Sequence, residues 1–179
     1  MMPEQRLPLT IDPLRYAKAR RELAGTVAFA QMPRLAEMLS ATEGLAQVQM
    51  SFLFDEEHRT VVKVCVQATL PLICQRCMQT VQYPVDVTAA LCPVNDEAEA
   101  ALLPEHYEPV VLTDEQCSPL NMVEEELLLS IPLVPVHHDK DCALGQNQAY
   151  YAAEPVVLDQ DPLDRHHPFE VLAQLKGKK

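Results

Sequence analysis

The clearest pattern along the chain is an alternation of apolar and polar residues in three successive segments, residues 46–54, 62–72 and 81–91. A period of two places the apolar side chains on one face of a β-strand and the polar side chains on the other. The connections are short, a charged turn at 55–59 and a second turn that contains Cys74 and Cys77. We therefore predict three strands that form an antiparallel meander.

Helical patterns flank these strands. Asp12 and Pro13 form a helix-start signal, which predicts a short basic helix over residues 14–23, and residues 33–39 predict a second helix. Ser118 and Pro119 open a third, in which apolar residues fall on one face as far as Ile131. Brief strands are predicted at 26–30 and 108–113. The expected fold class is α+β, an antiparallel sheet packed on one face by the 118–131 helix.

The domain organisation follows from length and composition. A chain of 179 residues with 48% hydrophobic content buries one ordinary core, so we expect a single α+β domain over residues 1–142. Residues 143–167 mix Gly, Gln, Pro, Asp and Tyr without periodicity and predict a flexible linker. Residues 168–179 then predict a short amphipathic segment, which either packs on its own core or enters a groove of a partner.

The formal net charge of −12 disfavours non-specific binding to nucleic acid or to an anionic membrane. Basic residues gather near both ends, whereas residues 77–139 contain no Lys or Arg. The acids of that stretch are Asp86, Asp96, Glu97, Glu99, Glu105, Glu108, Asp114, Glu115, Glu124, Glu125, Glu126 and Asp139. They form either a solvated surface or a surface for a basic partner. The sequence has neither a secretory signal nor a membrane-length apolar run, so we expect a cytoplasmic protein.

Cys74 and Cys77 form a CxxC motif, the half-site of a tetrahedral zinc centre when a hairpin turn presents it. The other half would come from His137 or His138 together with Cys142, and Asp139 would support the imidazole. Our candidate metal ligands are Cys74, Cys77, His138 and Cys142, with zinc as the cofactor. The alternative is a pair of spare thiols without metal.

A thiol redox function is a second interpretation of the same motif. Redox CxxC motifs place the first cysteine at a helix N-terminus, whereas a strand pattern follows this one. Cys65, Cys92 and Cys117 are typical of small apolar residues in or beside the core. The sequence contains no nucleophile motif, no phosphate-binding glycine loop and no acid-base carboxylate pair. We therefore expect neither an enzyme nor a small-molecule substrate.

Several segments, in order along nearly the whole chain, resemble one family, the YceD-type large ribosomal RNA subunit accumulation proteins. They are LPLTIDP at 7–13, CQRC at 74–77, PEHYEP at 104–109, MVEEELLLSIP at 122–132, VPVH at 134–137 and PFEVLAQLK at 168–176. Some relatives carry further cysteines in the later region that complete a four-thiolate zinc site. This chain has His137, His138 and Cys142 there instead.

The resemblance implies a non-enzymatic accessory factor that supports 23S rRNA accumulation and large ribosomal subunit biogenesis. The expected partner is a basic ribosomal protein or a precursor particle that meets the acidic stretch. Arg6, Arg15, Lys18, Arg20 and Arg21 would contact rRNA at the edge of that surface. The alternatives are a zinc-binding interaction module outside ribosome assembly and a thiol redox protein.

Overall fold

The fold of the chain is given by a computed structural model that describes residues 7–138 and 140–144, all within one compact unit, Met1–Gln146. This unit contains both helices and strands. In chain order they are α1 (Pro13–Lys18), β1 (Glu22–Ala28), a 3₁₀ turn (Phe29–Gln31), α2 (Pro33–Met38), β2 (Leu45–Phe54), β3 (Thr60–Ile73), β4 (Thr80–Val94), α3 (Glu97–Ala100), β5 (Glu108–Val111) and α4 (Pro119–Leu129).

The strands form one five-stranded sheet in the order β1-β2-β3-β4-β5. The pairs from β1 to β4 are antiparallel, and Val64 of β3 lies between Met50 of β2 and Ala89 of β4. This arrangement confirms the predicted meander and the α+β class. β5 differs, because it pairs with β4 in parallel after a crossover through α3.

The core lies on one face of this sheet. Along β2 the burial alternates, with Val48, Met50 and Phe52 buried, Gln49 exposed and Ser51 half-buried. The aromatic ring of Tyr16 in α1 packs edge-on against Phe52, with centroids 5.1 Å apart. Each fully buried large apolar side chain contributes about 1.5–3 kcal/mol. The alternation thus fixes the register, since a slip by one residue would expose every core side chain.

A buried acid joins α4 to α2. The Ser118 hydroxyl accepts from the Asn121 N–H and begins α4. The residue before α2 is Met32, whose side chain cannot cap the helix. Glu124 of α4 does so instead, because its Oε1 accepts from the N–H groups of Arg34 at 2.8 Å and Leu35 at 3.1 Å. Glu124 is therefore buried because it caps another helix.

The first helix is shorter than predicted. It ends at Lys18, Arg20 takes a left-handed conformation with φ 45°, and β1 starts at Glu22. The prediction that helix extends to residue 23 and that the strand starts at 26 was wrong on both bounds. Pairing of β1 along β2 outweighs the helix propensity of residues 22–24.

The predicted linker from residue 145 onward, the 168–179 segment and Arg6 lie outside the described residues. The domain boundaries at 142 and 167 therefore stay predictions. In the part of the chain that the structure describes, no helix is both long enough and apolar enough to cross a membrane.

Candidate metal site

The first half of the candidate site is the turn between β3 and β4. The N–H of Cys74 donates to the carbonyl of Gln79 at 2.9 Å, and the N–H of Met78 donates to the carbonyl of Cys74 at 2.9 Å. Met78 takes φ 59°, in the left-handed region. This tight closure holds Cys74 and Cys77 at the tip of the hairpin, as a zinc knuckle does.

The second half comes from the chain after α4. The N–H of Gln75 donates to the carbonyl of Pro135 at 2.8 Å, which ties this segment to the hairpin tip. Further on, the N–H groups of Asp141 and Cys142 both donate to the carbonyl of His138, at 2.9 and 3.1 Å. That turn brings Cys142 back toward the two hairpin thiols.

These segments place four potential ligands together, Cys74, Cys77, His137 and Cys142, whose ligand atoms all lie within 4.8 Å of one another. Cys74 and Cys142 are buried, and the other two are half-buried. The Sγ of Cys77 lies 3.4 Å from Nδ1 of His137. Zn–S bonds are about 2.3 Å long and Zn–N bonds about 2.0–2.1 Å. A tetrahedral zinc ion would therefore need these four ligand atoms to lie somewhat closer together than the 4.8 Å limit.

The imidazole of His137 is oriented for ligation. Its Nε2 lies 3.1 Å from the backbone carbonyl of Thr80, which can only accept, so the Nε2–H is the donor. Nδ1 is then unprotonated and carries a lone pair on the side of Cys77. Histidine ligands of metals are commonly fixed by such a hydrogen bond from the other ring nitrogen.

The thiol of Cys74 is poised to ionise. Burial opposes the charge, but the backbone N–H groups of Cys77, His137 and Arg76 stabilise the thiolate and lower the pKa of Cys74 to about 5. One of these contacts is the His137 N–H, 3.4 Å from Sγ. Hydrogen bonds to the charged form favour that form, and they give this site a ready anionic ligand.

The thiol of Cys77 behaves in the opposite way. The backbone N–H of Gln79 favours its thiolate, but burial and the sulfur atoms of Cys74 and Cys142 outweigh that contact and raise the pKa of Cys77. Three thiolates this close repel one another, and a divalent cation would remove the repulsion. The donor set of three thiols and one imidazole fits tetrahedral zinc.

Three of the four predicted ligands, Cys74, Cys77 and Cys142, lie in this cluster, and His137 takes the place given to His138. His138 lies one residue further on, exposed, and contributes its carbonyl to the turn that returns Cys142. Both histidines satisfy the spacing, so the sequence alone could not separate them. Metal binding itself stays a prediction, and Asp139 lies outside the described residues.

The fold and the cluster define a small α+β protein with a candidate site of three cysteines and one histidine. A family model described as Large ribosomal RNA subunit accumulation protein YceD matches residues 62–176. A relative from Haemophilus influenzae (strain ATCC 51907 / DSM 11121 / KW20 / Rd) is named Large ribosomal RNA subunit accumulation protein YceD. It is 35% identical over 178 residues, covering 99% of this chain and 100% of its own length. The chain therefore belongs to the YceD family. No solved structure matches it.

Proposed function

We propose that this chain is a cytoplasmic, non-enzymatic accessory factor that supports 23S rRNA accumulation during large ribosomal subunit biogenesis. The observation that carries the proposal is its full-length similarity to a relative named for large ribosomal RNA subunit accumulation. The acidic stretch would bind by electrostatic attraction, since its charge is complementary to a basic ribosomal protein or to a precursor particle that contains one.

The acidic surface is available for such a contact. Of the acids between residues 86 and 126, all but Glu124 and Glu126 are exposed. The opposite charge lies on α1 and the turn after it, where Arg15, Lys18 and Arg20 are exposed. We propose that the acidic surface binds the basic partner and that this basic segment contacts rRNA at its edge.

The candidate metal site would have a structural role, holding two segments of the chain together. Zinc held by Cys74, Cys77, His137 and Cys142 would fix the hairpin tip to the segment that follows α4. The role of the metal would be to stabilise this arrangement, because closed sites with four protein ligands are structural.

The depressed pKa of Cys74 favours one second candidate, a thiol redox protein. Burial argues against it, because Cys74 is 0% exposed and a buried sulfur cannot reach a partner disulfide. The test is the rate of alkylation of Cys74 after metal removal. A rate at or below that of a free cysteine excludes the redox function, and a much faster rate supports it.

The proposal is tested by sucrose-gradient sedimentation of lysate, following the protein and the large-subunit precursor particles. We expect the wild-type chain to sediment with these particles at low salt and to dissociate at about 0.5 M salt, where exposed charges are screened. A chain that stays at the top of the gradient and binds zinc would instead be an interaction module outside ribosome assembly.

A matched pair of triple variants separates the acidic surface from net charge. The test variant neutralises three exposed acids of the acidic stretch, Glu97→Gln, Glu105→Gln and Glu115→Gln. The control variant changes net charge equally at exposed acids elsewhere, Glu37→Gln, Glu43→Gln and Glu56→Gln. We expect the test variant to lose sedimentation with the particles and the control to keep it. Equal behaviour of the two variants would contradict binding through the acidic surface.

A further inference from the structure

A cleft separates β5 from α4 and has a volume of about 720 Å³. Its walls combine acids and apolar groups. The lining includes Glu108 and Val110 of β5, Asp114 of the following loop, and Met122, Glu125 and Glu126 of α4. Among the residues that the structure describes, no Lys or Arg lines it.

Glu126 is the unusual residue of this cleft, because it is only 4% exposed. The polar group that its carboxyl contacts is another acid, the carboxyl of Glu108. Glu124, which is 5% exposed, differs, since two N–H groups of α2 satisfy it.

Two carboxyl groups in contact are costly when both are ionised, and the partner of the buried Glu126 is such a carboxyl. Burial, followed by Glu108 and then Glu125, raises the pKa of Glu126 to about 7. Two carboxyl groups in contact share a proton because two negative charges there repel. A cation that entered from outside would remove this repulsion.

We propose that this cleft binds an arginine side chain of the basic protein partner, with the guanidinium between Glu126 and Glu108. The inference rests on the proposed function, which supplies such a partner. Arginine fits better than lysine, because its planar fork of donors matches carboxylates and is weakly hydrated. The apolar walls at Val110 and Met122 cover its methylene stem.

The acidic lining excludes a phosphate ligand, so a nucleic acid does not fit this cleft. Clefts of about 300–1,000 Å³ hold compact ligands, and this one has room for a side chain and its flanking backbone. The exposed acids around it steer a basic segment toward it, whereas Glu126 provides the specific contact.

The experiment uses the full ¹⁵N-labelled chain and three peptides, acetyl-Gly-Arg-Gly-amide and its lysine and citrulline analogues. Citrulline has the shape of arginine without the charge. We expect the arginine peptide to shift the amide signals of Glu108, Val110 and Glu126. The lysine peptide should bind at least about threefold more weakly, and the citrulline peptide should not saturate.

Three variants locate the contact. Glu126→Gln and the exposed change Glu108→Gln should each weaken arginine binding about tenfold. Glu105→Gln removes the same charge at an exposed acid that does not line the cleft, and should change it less than about twofold. Signals that shift outside the cleft, or equal losses in Glu126→Gln and Glu105→Gln, would overturn the proposal.

Sedimentation of the same variants separates this inference from the proposed function. If the wild type and Glu126→Gln both sediment with precursor particles, the proposed function stands and arginine binding by the cleft is not its basis. If Glu126→Gln alone stays at the top, both are supported. A wild-type chain that stays at the top contradicts the proposed function, whatever the peptides show.

Discussion

His137 donates through Nε2 to the backbone carbonyl of Thr80 at 3.1 Å. Its Nδ1 therefore keeps a free lone pair, and this atom lies 3.4 Å from Sγ of Cys77. The donor and the acceptor belong to segments nearly sixty residues apart in the chain. This contact sets the tautomer of the imidazole before any metal arrives, and preorganised ligands lose little freedom on binding.

The first prediction concerns the identity of the histidine ligand. Replacing His137 with Asn should lower zinc affinity at least about 100-fold, because it removes a ligand and not only its support. The matched change His138→Asn alters an exposed neighbour and should change affinity less than about threefold. Metal content and chelator competition measure both. Equal losses would show that His137 is not the ligand.

The second prediction concerns the hairpin turn. Met78 has φ 59° and is 68% exposed, so its side chain contributes little packing while its backbone is strained. Met78→Gly should stabilise the fold by about 0.5–1 kcal/mol, since glycine adopts this conformation without a clash. Urea unfolding measures the change. Met78→Ala keeps the strained φ and should have little effect; a similar gain from Ala would point to the side chain instead.

The third prediction concerns the cap of α2. Glu124→Ala leaves two N–H groups without their acceptor and should cost about 2 kcal/mol of unfolding free energy. The neighbouring Glu125 makes an exposed ion pair with Arg34, at 2.7 Å. Glu125→Ala should therefore cost less than about 1 kcal/mol. Chemical denaturation of the two variants measures the difference, and comparable losses would contradict the capping role.

The fourth prediction is a pH dependence of stability from Glu126. Because burial, Glu108 and Glu125 raise its folded pKa to about 7, the folded state binds an extra proton between the ordinary value of 4.5 and 7. The contribution of this proton to the free energy of unfolding is therefore fully present below pH 4.5, and it is lost as the pH rises through 7. Glu126→Gln removes this loss, on the order of 2 kcal/mol.

Denaturation of the wild type and Glu126→Gln at pH 5 and pH 8 checks this sign. The variant should gain stability relative to the wild type at the higher pH. The exposed change Glu105→Gln serves as the control and should follow the wild type at both values. A wild-type chain that becomes more stable relative to Glu126→Gln at pH 8 would contradict the account.

The sheet was predictable where local pattern decides it. Residues such as Val48, Met50 and Phe52 alternate so regularly that tertiary contacts reinforce the local preference. The parallel pairing of β5 was not predictable, because a strand pattern carries no information about its neighbour's direction. Residues 22 and 23 were predicted as helix because their propensity favours it, yet pairing with β2 prevails.

The candidate site was predictable by residue type and only partly by position. The CxxC motif and Cys142 indicated a metal site, but the choice between His137 and His138 depends on the hydrogen bond to Thr80. That hydrogen bond joins residues far apart in the chain, so no pattern in the sequence near either histidine indicates it. Glu124 and Glu126 look alike in the sequence, although one caps a helix and the other lines a cleft. Only burial and partners distinguish them.

The fifth prediction tests the central claim, that this chain supports accumulation of the large-subunit rRNA. The measurement is the ratio of 23S to 16S rRNA in a strain lacking the gene, complemented with an empty vector or with the wild-type chain. We predict that the ratio falls on deletion and that the wild-type chain restores it. An unchanged ratio on deletion would contradict the account.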